Sequence, residues 1–130
     1  MLDKVEYWLD IADEDVSVAK VLLDGKKYLQ TGFFCHLIAE KALKAVIASN
    51  TAEIPPYIHK LSRLADIAQL SKDLSQSQKE LLISLDPLQV EARYPEYKAE
   101  IAKTLNFEIC NQLLKETEEF LCWIKQRLGK

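Results

Sequence analysis

The groups in this sequence best suited to grip an anion or move a proton fall in two short stretches. The first holds His59, directly after PPYI and at the expected start of a helix, with Lys60 and Arg63 close behind. A helix start offers unpaired backbone N–H groups and a partial positive charge, which basic neighbours reinforce toward an anion. The competing reading has His59 hydrogen-bond to the loop before it and hold the turn. The second stretch, DPLQVEARYPEY with Pro87 and Pro95, holds Arg93, Tyr94 and Tyr97. An arginine beside tyrosines can hold a phosphate in its planar fork while a ring stacks on a base. Equally, Arg93 can clamp a helix end while the tyrosines plug the end of a bundle.

A third group lies on one helical stretch. Lys41 follows Phe34 by seven residues and precedes Ala45 by four, which sets it in the main apolar stripe. A buried ammonium is costly without a carboxylate. Three readings stay open: a pair with Asp15, which lies between the two stripes of the first helix; an ammonium that snorkels to water; or a lysine that serves a pocket. Glu40 and Lys44 stand i,i+4 in the favourable order, the pattern of a surface ion pair worth a few tenths of a kcal/mol. His36 projects near Leu43 and reads as a packing residue. Together, Lys41, Lys44, His59, Arg63, Arg93, Tyr94 and Tyr97 are the candidate ligand-binding residues, and none is assigned a catalytic role.

No nucleophile–base couple, carboxylate pair or glycine-rich phosphate loop is visible. Cys35, Cys110 and Cys122 show no CxxC spacing and sit inside helical patterns, so they read as reduced packing residues. Three scattered cysteines and two histidines do not make a zinc set, and no metal or cofactor is expected.

These groups must be positioned by helices. The first is expected to open at Asp3, with Glu6 as its capping-box partner, and to stop near Gly25. A second should run from about Gly32 to Asn50, until TAEIPPYI breaks it. A third follows from about His59 to Leu70. Ser75 with Gln78, and Ser77 with Glu80, each offer a start for a fourth. DPLQVEARYPEY reads as a helix end plus loop, and a long last helix should span about Ala99 to Leu128. No segment alternates as a strand would. The expected fold is all-α, an up-and-down bundle of four to five helices forming one domain over residues 1–130.

The first two helices are apolar on two faces. Val5, Trp8, Ala12, Val16, Ala19 and Leu23 form one stripe of the first, and Tyr7, Ile11, Val18 and Leu22 another. In the second, Phe34, Leu37, Ile38, Ala45 and Ala48 oppose Phe33, Leu43 and Ile47. An outer bundle helix needs one apolar face. Either these helices are central, or the second stripes (Tyr7, Ile11, Val18, Leu22, Phe33, Leu43, Ile47) meet another copy in a homodimer. With 17 basic against 20 acidic residues the net charge is −3, which disfavours broad nucleic-acid coating but not a local basic pocket. The acidic start without a long apolar run leads us to expect neither a signal peptide nor a membrane span, and a cytoplasmic protein.

Taken in order, VEYWLDIADEDVSVAKVLLDGKKY, GFFCHLIAEKALKAVI, HKL at 59–61 and ARYP at 92–95 resemble the HEPN domain over nearly the whole chain. AEKALKA after paired aromatics is the most specific piece. The resemblance implies a helical bundle, commonly homodimeric, often encoded beside a minimal nucleotidyltransferase in two-component modules of toxin–antitoxin type. Some members are metal-independent endoribonucleases, while others are thought to bind nucleotides without cutting RNA. The ribonucleases carry an arginine followed after four to six residues by a histidine. Here that window holds Lys98, Ala99 and Glu100 after Arg93, and Ala68, Gln69 and Leu70 after Arg63; only three residues follow Arg127. Both histidines precede every arginine. The resemblance therefore implies a non-catalytic partner of a nucleotidyltransferase, with nucleotide or RNA as ligand. A ribonuclease built on a His59–Arg93 pair and a structural dimerisation module are the alternatives.

Overall fold

The computed structural model describes residues 3–91 and 93–130. Among them the chain forms six α-helices: α1 (Lys4–Asp24), α2 (Tyr28–Asn50), α3 (Leu61–Ile67), α4 (Gln76–Leu85), α5 (Pro95–Ala102) and α6 (Phe107–Arg127), with a 3₁₀ turn at Asp86–Leu88. Helix α2 packs against α1, α3, α4, α5 and α6, which makes it the central rod.

Local chemistry explains most boundaries. The Asp3 carboxylate accepts from the N–H groups of Val5 and Glu6 and opens α1. At its far end Lys26, not Gly25, takes the left-handed conformation, with φ 61°. Lys27 N–H bonds Leu22 C=O and Lys26 N–H bonds Leu23 C=O, the paired closure of a Schellman turn. Ser75 and Gln78 cap α4 reciprocally, as the sequence pattern anticipates. Ser75→Ala should therefore lower stability by about 1 kcal/mol, read as a drop in urea midpoint at unchanged slope.

Three of the expected helices differ in their boundaries. Helix α2 begins at Tyr28 rather than Gly32, and its N-cap is Lys27, which makes no side-chain cap bond; no capping residue announces that start. Helix α3 is shorter than expected at both ends. The last helix is two helices: Pro95 opens α5 ahead of Ala99, in the first turn, where a missing N–H costs nothing, and α5 ends at Ala102. Asn106 then caps a new helix by accepting from Ile109 N–H.

Burial of α2 on nearly every side settles part of the two-face question. Leu43 is 0% exposed and Ile47 3%, so both are covered within the single chain; their assignment to a dimer interface is corrected. Tyr7 stays exposed, and Ile11, Val18, Leu22 and Phe33 half-buried. Cys35 and Cys110 are buried packing residues, whereas Cys122 is exposed. Burial pushes the Cys35 thiol up to about 12 and that of Cys110 up to about 11. At Gly32 a Cβ would stand 3.2 Å from Leu88 and 3.3 Å from Leu105, so the missing side chain lets the segments flanking α5 close on α2. No helix of the described residues is long and apolar enough to cross a membrane.

Candidate functional site

One face of α2 supplies the anchor. Glu40 is 1% exposed, in the middle of the central helix. Its Oε2 accepts from Lys44 Nζ at 2.9 Å and Lys41 Nζ at 3.2 Å, and its Oε1 lies 2.9 Å from His59 Nδ1. The i,i+4 pair of Glu40 and Lys44 is thus a buried ion pair, not the surface pair that its spacing suggests. Lys44 is 4% exposed. Its Nζ lies 5.6 Å from the Trp8 ring centre and 5.8 Å from that of Tyr57, and Lys41 Nζ lies 5.7 Å from Trp8. Aromatic faces thus replace part of the hydration these ammonium groups lose.

Of the three readings open for Lys41, the Asp15–Lys41 ion pair does not form; Lys41 turns to Glu40 instead. Burial raises the Asp15 carboxyl above its ordinary value, against the opposing pull of the Lys41 charge.

Burial by itself pushes the Glu40 carboxyl up. Hydrogen bonds from His59 and Lys44 and the charges of Lys41 and Lys44 outweigh it and bring the group down to about 2. The carboxylate is therefore ionised at neutral pH. Being below its ordinary value of 4.5, it contributes stability that is fully present above pH 4.5 and lost as pH falls toward 2. We expect about 3 kcal/mol to disappear over that window, an order-of-magnitude figure at 1.36 kcal/mol per unit. Denaturant melts of the native protein and of Glu40→Gln from pH 6 to 2.5 check this, since the variant should lack that component.

His36, one turn before Glu40, is also buried. Its Nε2 lies 2.9 Å from the backbone carbonyl of His59, and its Nδ1 has no hydrogen-bond partner. Burial holds its imidazole below the ordinary value, against the opposing charges of Glu40 and Asp86. His36 is thus a bonded element of the site and not only packing. Neither reading of His59, an anion site at a helix start or a bond to the preceding loop, is the arrangement found. Helix α3 begins at Leu61, and Leu61 N–H is taken by Asp86 Oδ1 at 3.0 Å. The His59 ring is held by Glu40, not by the loop before it.

Residues from three parts of the chain meet around His59. A depression of about 450 Å³ is lined by Tyr57, His59, Gln89, Glu91 and Arg93. A second of about 260 Å³ is lined by His59, Lys60, Asp86, Gln89 and Arg93. The two share His59, Gln89 and Arg93, so they form one cleft between the loop before α3 and the segment after the 3₁₀ turn. Arg93 Nε donates to Gln89 C=O at 3.4 Å, and its guanidinium stands 4.9 Å from the Tyr97 ring centre. Tyr97 in turn donates to Pro87 C=O at 2.8 Å. Tyr57 is 88% exposed and meets the His59 ring edge to face at 4.9 Å.

Of the expected ligand residues, the cleft gathers His59 and Arg93, with Tyr97 beneath Arg93. Lys41 and Lys44 act from below, through Glu40. Arg63 and Tyr94 are exposed and line neither depression. Sequence reading misses Tyr57, Gln89 and Asp86. Tyr57 carries a usable signal, an aromatic in a proline-held loop two residues before a histidine; Gln89 and Asp86 carry none. A larger groove of about 660 Å³ runs between α1 and α6, lined by Lys20, Leu23, Leu114 and Trp123 among others. It contains no histidine or arginine, and Lys20 there pairs with Glu118 at 3.6 Å. No group of three His, Cys, Asp or Glu that could hold a metal occurs among the described residues.

Two solved structures share this fold. A protein of Thermus thermophilus, TT1696, is 18% identical with a TM-score of 0.81, over 96% of this chain and 98% of that one. ST0689, described as an archaeal HEPN homologue, is 19% identical with a TM-score of 0.66, over 97% and 98%. No curated protein matches the sequence. The family model of the HEPN domain matches residues 5–128. From the first turn of α1 to the end of α6, the chain belongs to the HEPN domain family.

Proposed function

We propose that this chain is a HEPN module that binds the phosphate of a nucleotide-like ligand in the His59–Arg93 cleft and docks onto a nucleotidyltransferase partner in a two-component module. The observation that carries the ligand part is the single cleft in which His59, Lys60, Gln89 and Arg93 meet beside an exposed tyrosine ring. Arg93 supplies a fixed fork for phosphate oxygens, Lys60 a second charge, and Tyr57 a face for a base. Asp86 and Glu91 share the rim, so recognition is directional rather than the pull of a broad positive field. Behind His59 the ammonium groups of Lys41 and Lys44 are matched by the Glu40 carboxylate and, in reach of the Lys41 charge, that of Asp15, so Arg93 and Lys60 carry the attraction for the anion. The partner and the toxin–antitoxin setting rest on family membership.

A second reading, an endoribonuclease, is favoured by one observation. The Glu40–His59 couple resembles a carboxylate-oriented general base, and Arg93 lines the same cleft. Calorimetric titration with 5′-AMP and incubation of a short single-stranded RNA in chelator separate the readings. Binding without cleavage supports the first. Cleavage that survives chelator and disappears in His59→Ala supports the second. Neither binding nor cleavage, with a dimer in light scattering, leaves a structural dimerisation module.

A further inference from the structure

The hydrogen bonds around Glu40 leave little choice of where the ring protons sit. His59 C=O can only accept, so His36 Nε2 at 2.9 Å must carry the hydrogen. A neutral imidazole has one N–H, so His36 Nδ1 is then a bare lone pair. That nitrogen is the one left without a partner, 3.7 Å from Glu40 Oε1. Oε1, itself acceptor-only, takes its hydrogen from His59 Nδ1 at 2.9 Å. His59 then has its lone pair on Nε2, the ring nitrogen not engaged by α2. Asp86 Oδ1 stands 3.9 Å from His36 Nε2, but is occupied by Leu61 N–H. His36 and Glu40 are one turn apart, so a single face of α2 grips residue 59 twice, at its backbone and at its ring.

We propose that His36 is a positioning residue for His59: by fixing the backbone of residue 59 and leaving Glu40 Oε1 to the His59 ring, it sets the tautomer that offers Nε2 to the cleft. The ligand group matched to that nitrogen is an O–H donor, as a ribose hydroxyl supplies, while the phosphate stays with Arg93. This deepens the cleft reading and rests on it for its effect on binding. The tautomers themselves are read without any ligand.

Imidazole ¹⁵N spectra of the unliganded protein near pH 7.5 test the proposal first. The expected result is an Nε2–H ring for His36 and an Nδ1–H ring for His59; the opposite tautomer at either position overturns it. His36→Leu, which removes the donor, should mix the His59 tautomers and weaken 5′-AMP binding about tenfold. His36→Gln, whose amide reaches the same carbonyl, should restore both. A folded His36→Leu protein with the His59 tautomer unchanged overturns the proposal. Where His36→Leu does not fold, the spectra of the native and His36→Gln proteins decide it. Correct tautomers without any 5′-AMP binding would uphold the positioning role and sink the ligand reading instead.

Discussion

Glu40→Gln is expected to lower the stability of this domain by about 3–5 kcal/mol, the usual result of removing one member of a buried, hydrogen-bonded charge pair. Lys44 has only a 5% exposed side chain, so its ammonium would lose its counter-charge without gaining water. The amide can accept on one side only, whereas the carboxylate satisfies Lys41, Lys44 and His59 together. Small domains have total stabilities of about 5–15 kcal/mol, so a large share would be lost. The urea midpoint should fall sharply at unchanged slope. The double variant Glu40→Leu/Lys44→Leu should recover much of the loss, because well-packed apolar residues replace buried ion pairs at little cost. A single-variant loss below about 1 kcal/mol would show that the pair is solvated.

Arg93→Ala should have the reverse signature. The side chain is exposed, and its contacts are a long bond to Gln89 C=O and the face of Tyr97, so stability should change by no more than about 0.5 kcal/mol. Binding of 5′-AMP should weaken at least about tenfold, since a charge-assisted bond to phosphate contributes roughly 1.5–3 kcal/mol and 1.4 kcal/mol is one decade. Arg93→Lys should restore part of it, keeping the charge but not the fork. Calorimetry beside a urea melt of each variant reads both quantities.

The helical architecture is legible because its signals are local. Asp3 and Ser75 announce caps, the PPYI segment breaks a helix, and apolar spacing repeats at 3.6. Where such signals are absent the boundaries slip. Lys27 caps nothing, so the first turn of α2 goes unseen, and Pro95 looks like a loop residue although the first helical position tolerates it. The site is half legible. His59 and Arg93 stand out by type, but their meeting depends on α2 being central, which no single helix pattern encodes. The same centrality turns an ordinary i,i+4 pair into the buried anchor of the site. Periodicity places Lys41 in the core and gives Lys44 to the surface. In the fold Lys44 is the more deeply buried, because the loop carrying Tyr57 and His59 covers its side of α2.

Chemical-shift mapping of the ¹⁵N-labelled protein with 5′-AMP tests most directly whether the His59–Arg93 cleft is the ligand site. The account predicts shifts centred on Tyr57, His59, Gln89 and Arg93, saturating together and needing at least about tenfold more nucleotide to saturate in Arg93→Ala. Shifts confined to the α1–α6 groove around Lys20 and Trp123, or none at millimolar nucleotide, would contradict it.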